Sequence, residues 1–393
     1  MPSELASAFC LDPTITFLNH GSFGACPRIV LESQQRFRDQ LEREPVRFFM
    51  RELEPLLDVS RRALAVFLGA DEEGIAFVAN ATTGVNAVLG SLELGPGDGL
   101  LVTDHAYNAC RNALDFHAQK RGAEVAIARL PFPLEDPEQI VESVLSSVTA
   151  KTRVALLDHV TSQTGLLLPL ERLVRELDAR GVDTLVDGAH APGMVSLDLA
   201  KLGAAYYAGN LHKWVSAPKG AAFLYVREDK RAAVRPAVIS HGANSPRKDR
   251  SRYLLEFDWQ GTNDPSAVLA VPDAISAMAA LVPGGFPAVM QRNRSLALSA
   301  RATLCETLGQ GPPAPDSMIG ALAVVRLPDA LTDVLPLVDP IQDELFHRFR
   351  IEVPVMPWGS PKRWIRISAQ VYNDESDYTY LARSLREVIS RYS

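Results

Sequence analysis

From about residue 55 to residue 228, short apolar runs alternate with stretches whose apolar residues recur at helical spacing. The runs cover 75–79, 100–103, 125–130, 154–159, 184–186, 205–208 and 222–226, and several are nearly unbroken Val, Ile, Leu and Ala. Such runs indicate strands covered on both faces, because a strand with one wet face alternates polar and apolar residues. Between them, the segment 169–180 sets Leu170, Leu173, Val174 and Leu177 on one face of a helix. Strand and helix in alternation imply parallel pairing through right-handed crossovers, hence a mainly parallel α/β sheet of about seven strands.

The pattern changes near residue 265. An Ala-rich helical run at 265–281 leads through Pro283-Gly284-Gly285 into a helix at 289–308, and 309–315 is rich in helix breakers. Strand-like runs follow at 319–327, 351–356 and 364–368, with helices expected at 336–349 and 375–392. A chain of 393 residues also exceeds the usual single-domain size. Three parts are therefore expected. Segment 1–50 holds an extended run at 16–19, a glycine-rich turn and a polar helix at 29–43. A large α/β domain spans 51–265, and a smaller α+β domain spans 266–393.

Composition removes several function classes. Acidic residues outnumber basic ones, 47 to 40, for a net charge of −7, whereas a nucleic-acid footprint needs a concentrated basic face. The basic cluster Arg247-Lys248-Asp249-Arg250 is short, interrupted by an acid, and suits a solvated loop. Four scattered cysteines, Cys10, Cys26, Cys110 and Cys305, form no CxxC and suggest free thiols in a reducing compartment. The N-terminus lacks the basic and apolar regions of a secretory signal. The most apolar stretch, 268–282, contains Pro272 and Asp273 and is too short to span a bilayer. A soluble, cytoplasmic protein is expected. No GxxxxGK loop, no GxGxxG after the first strand and no GxSxG elbow is present, and the eight histidines lack metal-ligand spacing.

Ligands of an open α/β sheet bind outside the carboxyl ends of its strands. There the polar residues form a coherent set. Thr184-Leu185-Val186-Asp187-Gly188-Ala189-His190 ends one strand with a carboxylate, a tight turn and a histidine. Ala208-Gly209-Asn210-Leu211-His212-Lys213-Trp214 ends the next with a lysine, 26 positions after Asp187. Alone, a lysine is usually a surface charge and an Asp-Gly pair usually a turn. Together at neighbouring strand ends they are the two groups that pyridoxal 5′-phosphate (PLP) requires. The lysine amine condenses with the aldehyde as a Schiff base, and the carboxylate keeps the pyridine nitrogen protonated. Once displaced by a substrate amine, Lys213 is free to move protons at the substrate α-carbon.

Asp187-Gly188-Ala189-His190, Gly209-Asn210-Leu211-His212-Lys213-Trp214 and Ala217-Pro218-Lys219-Gly220 resemble the class V aminotransferase family of PLP fold type I. Phe17-Leu18-Asn19-His20-Gly21-Ser22-Phe23-Gly24 and Asn80-Ala81-Thr82-Thr83-Gly84-Val85-Asn86 resemble its isopenicillin N epimerase-like subgroup. The likeness runs from about residue 15 to the C-terminus. It implies that Thr82, Thr83 and Gly84, opening a helix, hold the phosphate, a role that backbone N–H groups at a helix start suit. It implies a further phosphate contact from His212, with Asn210 a second candidate, and a ring-stacking role for Tyr107. His190 falls where the family contacts the phenolic oxygen, and Ser162 or Gln163 could touch the same oxygen. Arg366, in Trp364-Ile365-Arg366-Ile367-Ser368, matches the arginine that clamps the substrate carboxylate with its planar fork. Asn19, His20 and Gly21 would line the substrate side, and Arg47 could reach the substrate. Gly261-Thr262-Asn263 resembles the segment that reaches the neighbouring subunit's phosphate, which implies a homodimer with Thr262 at the partner's site. His105 fits a structural role.

The reaction is less constrained, since one cofactor serves many. The loop 353–363 carries no cysteine, which disfavours a persulfide-relaying desulfurase. The leading expectation is an epimerase or racemase acting at an amino-acid α-carbon, with Lys213 on one face and the second acid unassigned; Tyr107 is a conceivable donor. A C–S lyase working by β-elimination, or an aminotransferase, is the alternative. A non-catalytic PLP-fold binding protein is disfavoured because lysine, aspartate and arginine are all present.

Overall fold

The structure, a computed structural model, describes residues 3–329, 338–358 and 362–391. In chain order the strands are β1 (Thr16–Phe17), β2 (Ile75–Val78), β3 (Gly99–Thr103), β4 (Glu124–Ala128), β5 (Thr152–Asp158), β6 (Asp183–Asp187), β7 (Tyr206–Asn210) and β8 (Ala222–Val226). Then come β9 (Leu322–Arg326), β10 (Ile351–Glu352), β11 (Val355–Pro357) and β12 (Arg363–Ser368). Strands β2 to β8 form one seven-stranded sheet in the order β2-β8-β7-β6-β5-β3-β4. All seven expected runs are strands, and the fold class is the expected α/β.

Alternate residues along these strands enter two different cores. Leu101, Ala155, Leu157 and Val186 pack on one side of the sheet. Leu100, Val102, Val154, Leu156 and Leu185 pack on the other. Helices therefore cover both faces, which is why the runs are apolar without interruption. In helix Leu170–Asp178 the four residues expected to face inward, Leu170, Leu173, Val174 and Leu177, are all buried.

The sheet is mainly parallel, as expected, with two antiparallel pairings. Strand β8 runs antiparallel to both neighbours, β2 and β7. Only residues 211–221 join β7 to β8, and no helix lies among them. A parallel return needs a crossover of a dozen or more residues, so the short link forces the reversal. That link is the segment carrying Lys213.

A second sheet, in the order β11-β12-β9, is antiparallel. Helices Gly285–Thr307 and Glu375–Ile389 pack on it through residues such as Leu296, Leu304, Leu381 and Leu385. Strand β1 pairs in parallel with β10, Thr16 opposite Ile351. The N-terminal segment is thereby tied to the C-terminal part of the chain, and residues 20–24 meet the loop that follows β7. The run expected at 351–356 is split into β10 and β11 around Pro354, which has no N–H for a ladder. The helix expected at 265–281 is two, Ser266–Leu269 and Val271–Ala280. Ala267, Val268, Leu269, Val271 and Ala274 join the large-sheet core, beyond the break expected at 265. Residues 1–2, 336–337 and 392, at the ends of expected segments, and 359–361, within the 353–363 loop, lie outside the described residues. Among the described residues no single helix is long and apolar enough to cross a membrane. No group of His, Cys, Asp or Glu among them is arranged to hold a metal ion.

Candidate active site

Strands β4 and β5 flank β3 on opposite sides, so the order of winding switches there and opens a crevice beyond the strands' carboxyl ends. A cavity of about 870 Å³ occupies it. The ends of β3, β5, β6 and β7 deliver side chains to this cavity. Tyr107 follows β3, Asp158 ends β5 and Ser162 follows it, Asp187 ends β6, and Lys213 follows β7.

The lysine is held by its surroundings. Trp214 beside it is buried, and its indole Nε1 donates to His190 Nδ1 at 3.4 Å. His190 Nε2 lies 3.0 Å from Lys213 Nζ. Burial, then the charges of Lys213 and Arg366, hold the His190 imidazole well below its ordinary pKa, so it is neutral. With Nδ1 accepting from the indole, the ring proton is assigned to Nε2, facing the lysine amine. Burial and the Arg366 charge bring Lys213 down to about 8. An amine in that range is a usable nucleophile near neutral pH.

Two glycines let other backbones close on the lysine loop. Gly24 has φ 72°, and a Cβ there would lie 2.1 Å from the His212 carbonyl oxygen. Gly193 has φ 85°, and its Cβ would lie 2.5 Å from the Trp214 carbonyl carbon. Gly193→Ala combines left-handed backbone strain with overpacking and is expected to cost about 2–4 kcal/mol, read as a lower urea midpoint. His20 completes the clamp. It is fully buried, its Nε2 lies 3.0 Å from the Lys213 carbonyl oxygen, and its Nδ1 meets the Tyr372 hydroxyl at 2.7 Å. Burial lowers its pKa to about 3.

Asp187 is buried. One carboxylate oxygen accepts the Ala189 N–H at 3.0 Å, and the other accepts the Cys110 thiol at 3.0 Å. Helix Ala81–Ser91 begins with Asn80 as its cap, accepting the Thr83 N–H at 2.9 Å. Thr82 and Thr83 line the cavity there. Asn210 accepts the Ala81 N–H at 2.8 Å, joining this helix start to β7. His212 also lines the cavity, and its Nδ1 lies 3.2 Å from the Ala221 carbonyl oxygen. A helix start, a buried carboxylate and the lysine amine thus line one cavity. That donor set fits a flat ring bearing a phosphate and a basic nitrogen.

Arg366, on β12, is 1% exposed, yet among the described residues no carboxylate pairs with it. Its guanidinium donates to the Ser162 carbonyl oxygen, to Ser22 Oγ at 2.9 Å and to Asn19 Oδ1 at 3.4 Å, while its Nε has no partner. Burial without an anionic partner lowers its pKa to about 10. A buried cation surrounded by neutral acceptors is poised for an incoming anion.

Several expected contacts lie elsewhere. Gly84 is packed against the sheet, where a Cβ would meet the Ala208 Cβ at 3.0 Å, because the helix must sit close to β7. Gly84 is not among the residues that line the cavity. Gly21 is buried with its amide on Ser368 Oγ at 3.0 Å, and His20 faces the lysine backbone; neither lines the cavity. Arg47 is exposed and ion-paired with Glu52 at 2.7 Å, outside the cavity. Thr262 is exposed and does not line its own chain's cavity. His105 is structural, bonded to Thr164 Oγ1 at 2.9 Å and packed on Trp358. Sequence reasoning missed Asp158, Cys110 and Trp214. Asp158 is detectable as a second carboxylate ending an apolar run, since the strand stops there, one position short of the expected end at His159.

The class V aminotransferase family model matches residues 25–309. The chain is 39% identical to isopenicillin N epimerase of Amycolatopsis lactamdurans, over 96% of both chains. It is 36% identical to the enzyme of that name from Streptomyces clavuligerus, over 97% of both. A probable chloroplastic L-cysteine desulfhydrase of Arabidopsis thaliana is 31% identical, over 98% of this chain and 86% of the relative. The fold is shared with a cystine C–S lyase solved with cysteine persulfide, at TM-score 0.78 and 21% identity, over 95% of this chain and 98% of that one. It is also shared with the cysteine desulfurase CsdA of Escherichia coli, at TM-score 0.77 and 20% identity, over 99% and 98%. By the extent of the family match and of these full-length identities, the chain belongs to the class V aminotransferase family.

Proposed function

We propose that this protein is a PLP-dependent enzyme that inverts the α-carbon of an amino acid or amino-acid-derived substrate. The observation that carries the proposal is the convergence of Lys213, Asp187 and His190 on one cavity at neighbouring strand ends. Bound there, the cofactor supplies a ring that accepts the electron pair left when a bond at the α-carbon breaks. The chain's own residues do the rest. Lys213 anchors covalently and then carries a proton to or from the α-carbon. Asp187 holds a negative charge against the ring nitrogen, and neutral His190 orients the lysine amine. Thr82, Thr83, His212 and the helix start hold the phosphate. Tyr107 packs on the ring, and Ser162 stands by its phenolic oxygen. Arg366 takes the substrate carboxylate with Asn19 beside it. Arg366→Ala should therefore raise KM by about 100-fold while leaving the visible spectrum of the holoprotein intact.

Inversion is supported over other outcomes by the full-length likeness to the two isopenicillin N epimerases. A C–S lyase is the second reading, favoured by the likeness to an L-cysteine desulfhydrase and compatible with a 353–363 loop free of cysteine. Incubation with single L-amino acids and thioether conjugates separates them. A D-enantiomer on chiral chromatography supports inversion; pyruvate with released thiol defeats it. We also propose a homodimer in which the exposed Thr262 reaches the partner's phosphate site, and a cytoplasmic setting consistent with four unpaired cysteines.

A further inference from the structure

We propose that Asp158 is the proton-bearing half of a buried carboxyl pair with Asp187, a positioning residue that keeps the floor of the site at a single negative charge. The inference rests on the PLP reading for its consequence, not for its geometry. Strands β5 and β6 are parallel, and their register sets Asp158 opposite Asp187 as the last residue of each. Asp158 has the parity of Val154 and Leu156, and Asp187 that of Leu185; those three residues pack on the same side of the sheet as Cys110. Both carboxyls are 3% exposed. Among the described residues neither forms an ion pair with a basic side chain. Asp158 Oδ2 has no hydrogen-bond partner, although the carboxyl accepts the Tyr107 N–H.

Two buried carboxylates side by side cannot both ionise without a large cost, so one must keep its proton. Asp187 is the half with donors, Ala189 N–H and the Cys110 thiol, and with Lys213 near it. Asp158 is the half held well above the ordinary carboxyl range, first by burial and then by the Asp187 charge. Cys110, from helix Asn108–Arg121, is itself driven upward by burial and by Asp187, so it stays a neutral thiol donor. The groups facing Asp158 are thus one carboxylate from β6 and one thiol from the covering helix. A single negative charge matches a single protonated ring nitrogen. A second would leave an uncompensated buried anion.

Carbon-13 NMR of the full-length protein labelled at aspartate Cγ, with infrared difference spectra against variants, reads the proton directly. Wild type should show a protonated carboxyl at pH 7 that disappears in Asp158→Asn. In Asp187→Asn the Asp158 carboxyl should titrate at least about one pH unit lower, since a like charge has gone. Asp158→Ser serves for assignment should the Asn variant not fold. An ionised Asp158 at pH 7, or an unchanged titration in Asp187→Asn, overturns the pair. These readouts need no cofactor. A protein that never takes up PLP, yet shows the coupled carboxyls, would defeat the proposed function and leave the pair standing.

Discussion

Lys213→Ala should purify as a folded protein whose turnover is lower by at least about 1,000-fold, because the group proposed both to anchor the cofactor and to move the proton is gone. Borohydride reduction of wild type followed by peptide mapping should place the covalent label on Lys213, and the variant should carry none. A reducible adduct at another lysine would overturn the role assignment of the site. The same lysine has a pH signature. Only the unprotonated amine attacks an aldehyde, and burial with the Arg366 charge favours that form, bringing the group from 10.5 to about 8. Covalent loading of cofactor-free protein should therefore accelerate with pH and level off above about 8, where the amine is already neutral. Growth of the visible band after mixing measures it. A rate still climbing steeply past pH 9 would put Lys213 in a far wetter setting than the structure shows.

Asp187→Asn should separate attachment from activation. Lys213 is untouched, so the label still maps to residue 213 and the visible band persists. An amide cannot carry the negative charge that keeps the ring nitrogen protonated, so turnover should fall by about 100- to 10,000-fold. The Cys110 thiol can still donate to the Asn oxygen, which favours an intact fold. Turnover within about tenfold of wild type would mean that the reaction runs without a protonated ring, and that Asp187 is a structural residue of the β6 end.

Much of the site was legible because it is local in sequence. Asp187 and Lys213 announce themselves as charged residues ending apolar strands, and His190 and His212 lie within three positions of them. Thr82 and Thr83 follow from a helix start after β2. What was not legible depends on distant packing. Nothing near Gly84 in sequence shows that it packs a helix against Ala208 of β7, where a Cβ would lie 3.0 Å from the Ala208 Cβ. His20 looked like a substrate residue in its motif, yet it is buried against Lys213, Tyr372 and Gln370, three segments that no local pattern joins. Asp158 drew no notice because its meaning lies in its register against Asp187, and register is set by pairing.

Periodicity alone determined that the chain forms a doubly covered α/β sheet, since unbroken apolar runs of strand length have no other stable burial. It also determined that a lysine and a carboxylate stand at the carboxyl ends of neighbouring strands. Tertiary structure decided the reversal of β8, the pairing of β1 with β10 that brings residues 19–24 to Lys213, and the proximity of Arg366 to Ser162 across 204 positions. The physical reason is the range of the forces. Side-chain alternation is written within a few residues, whereas which strand edge meets which, and which buried charge meets another, is settled only when the cores close.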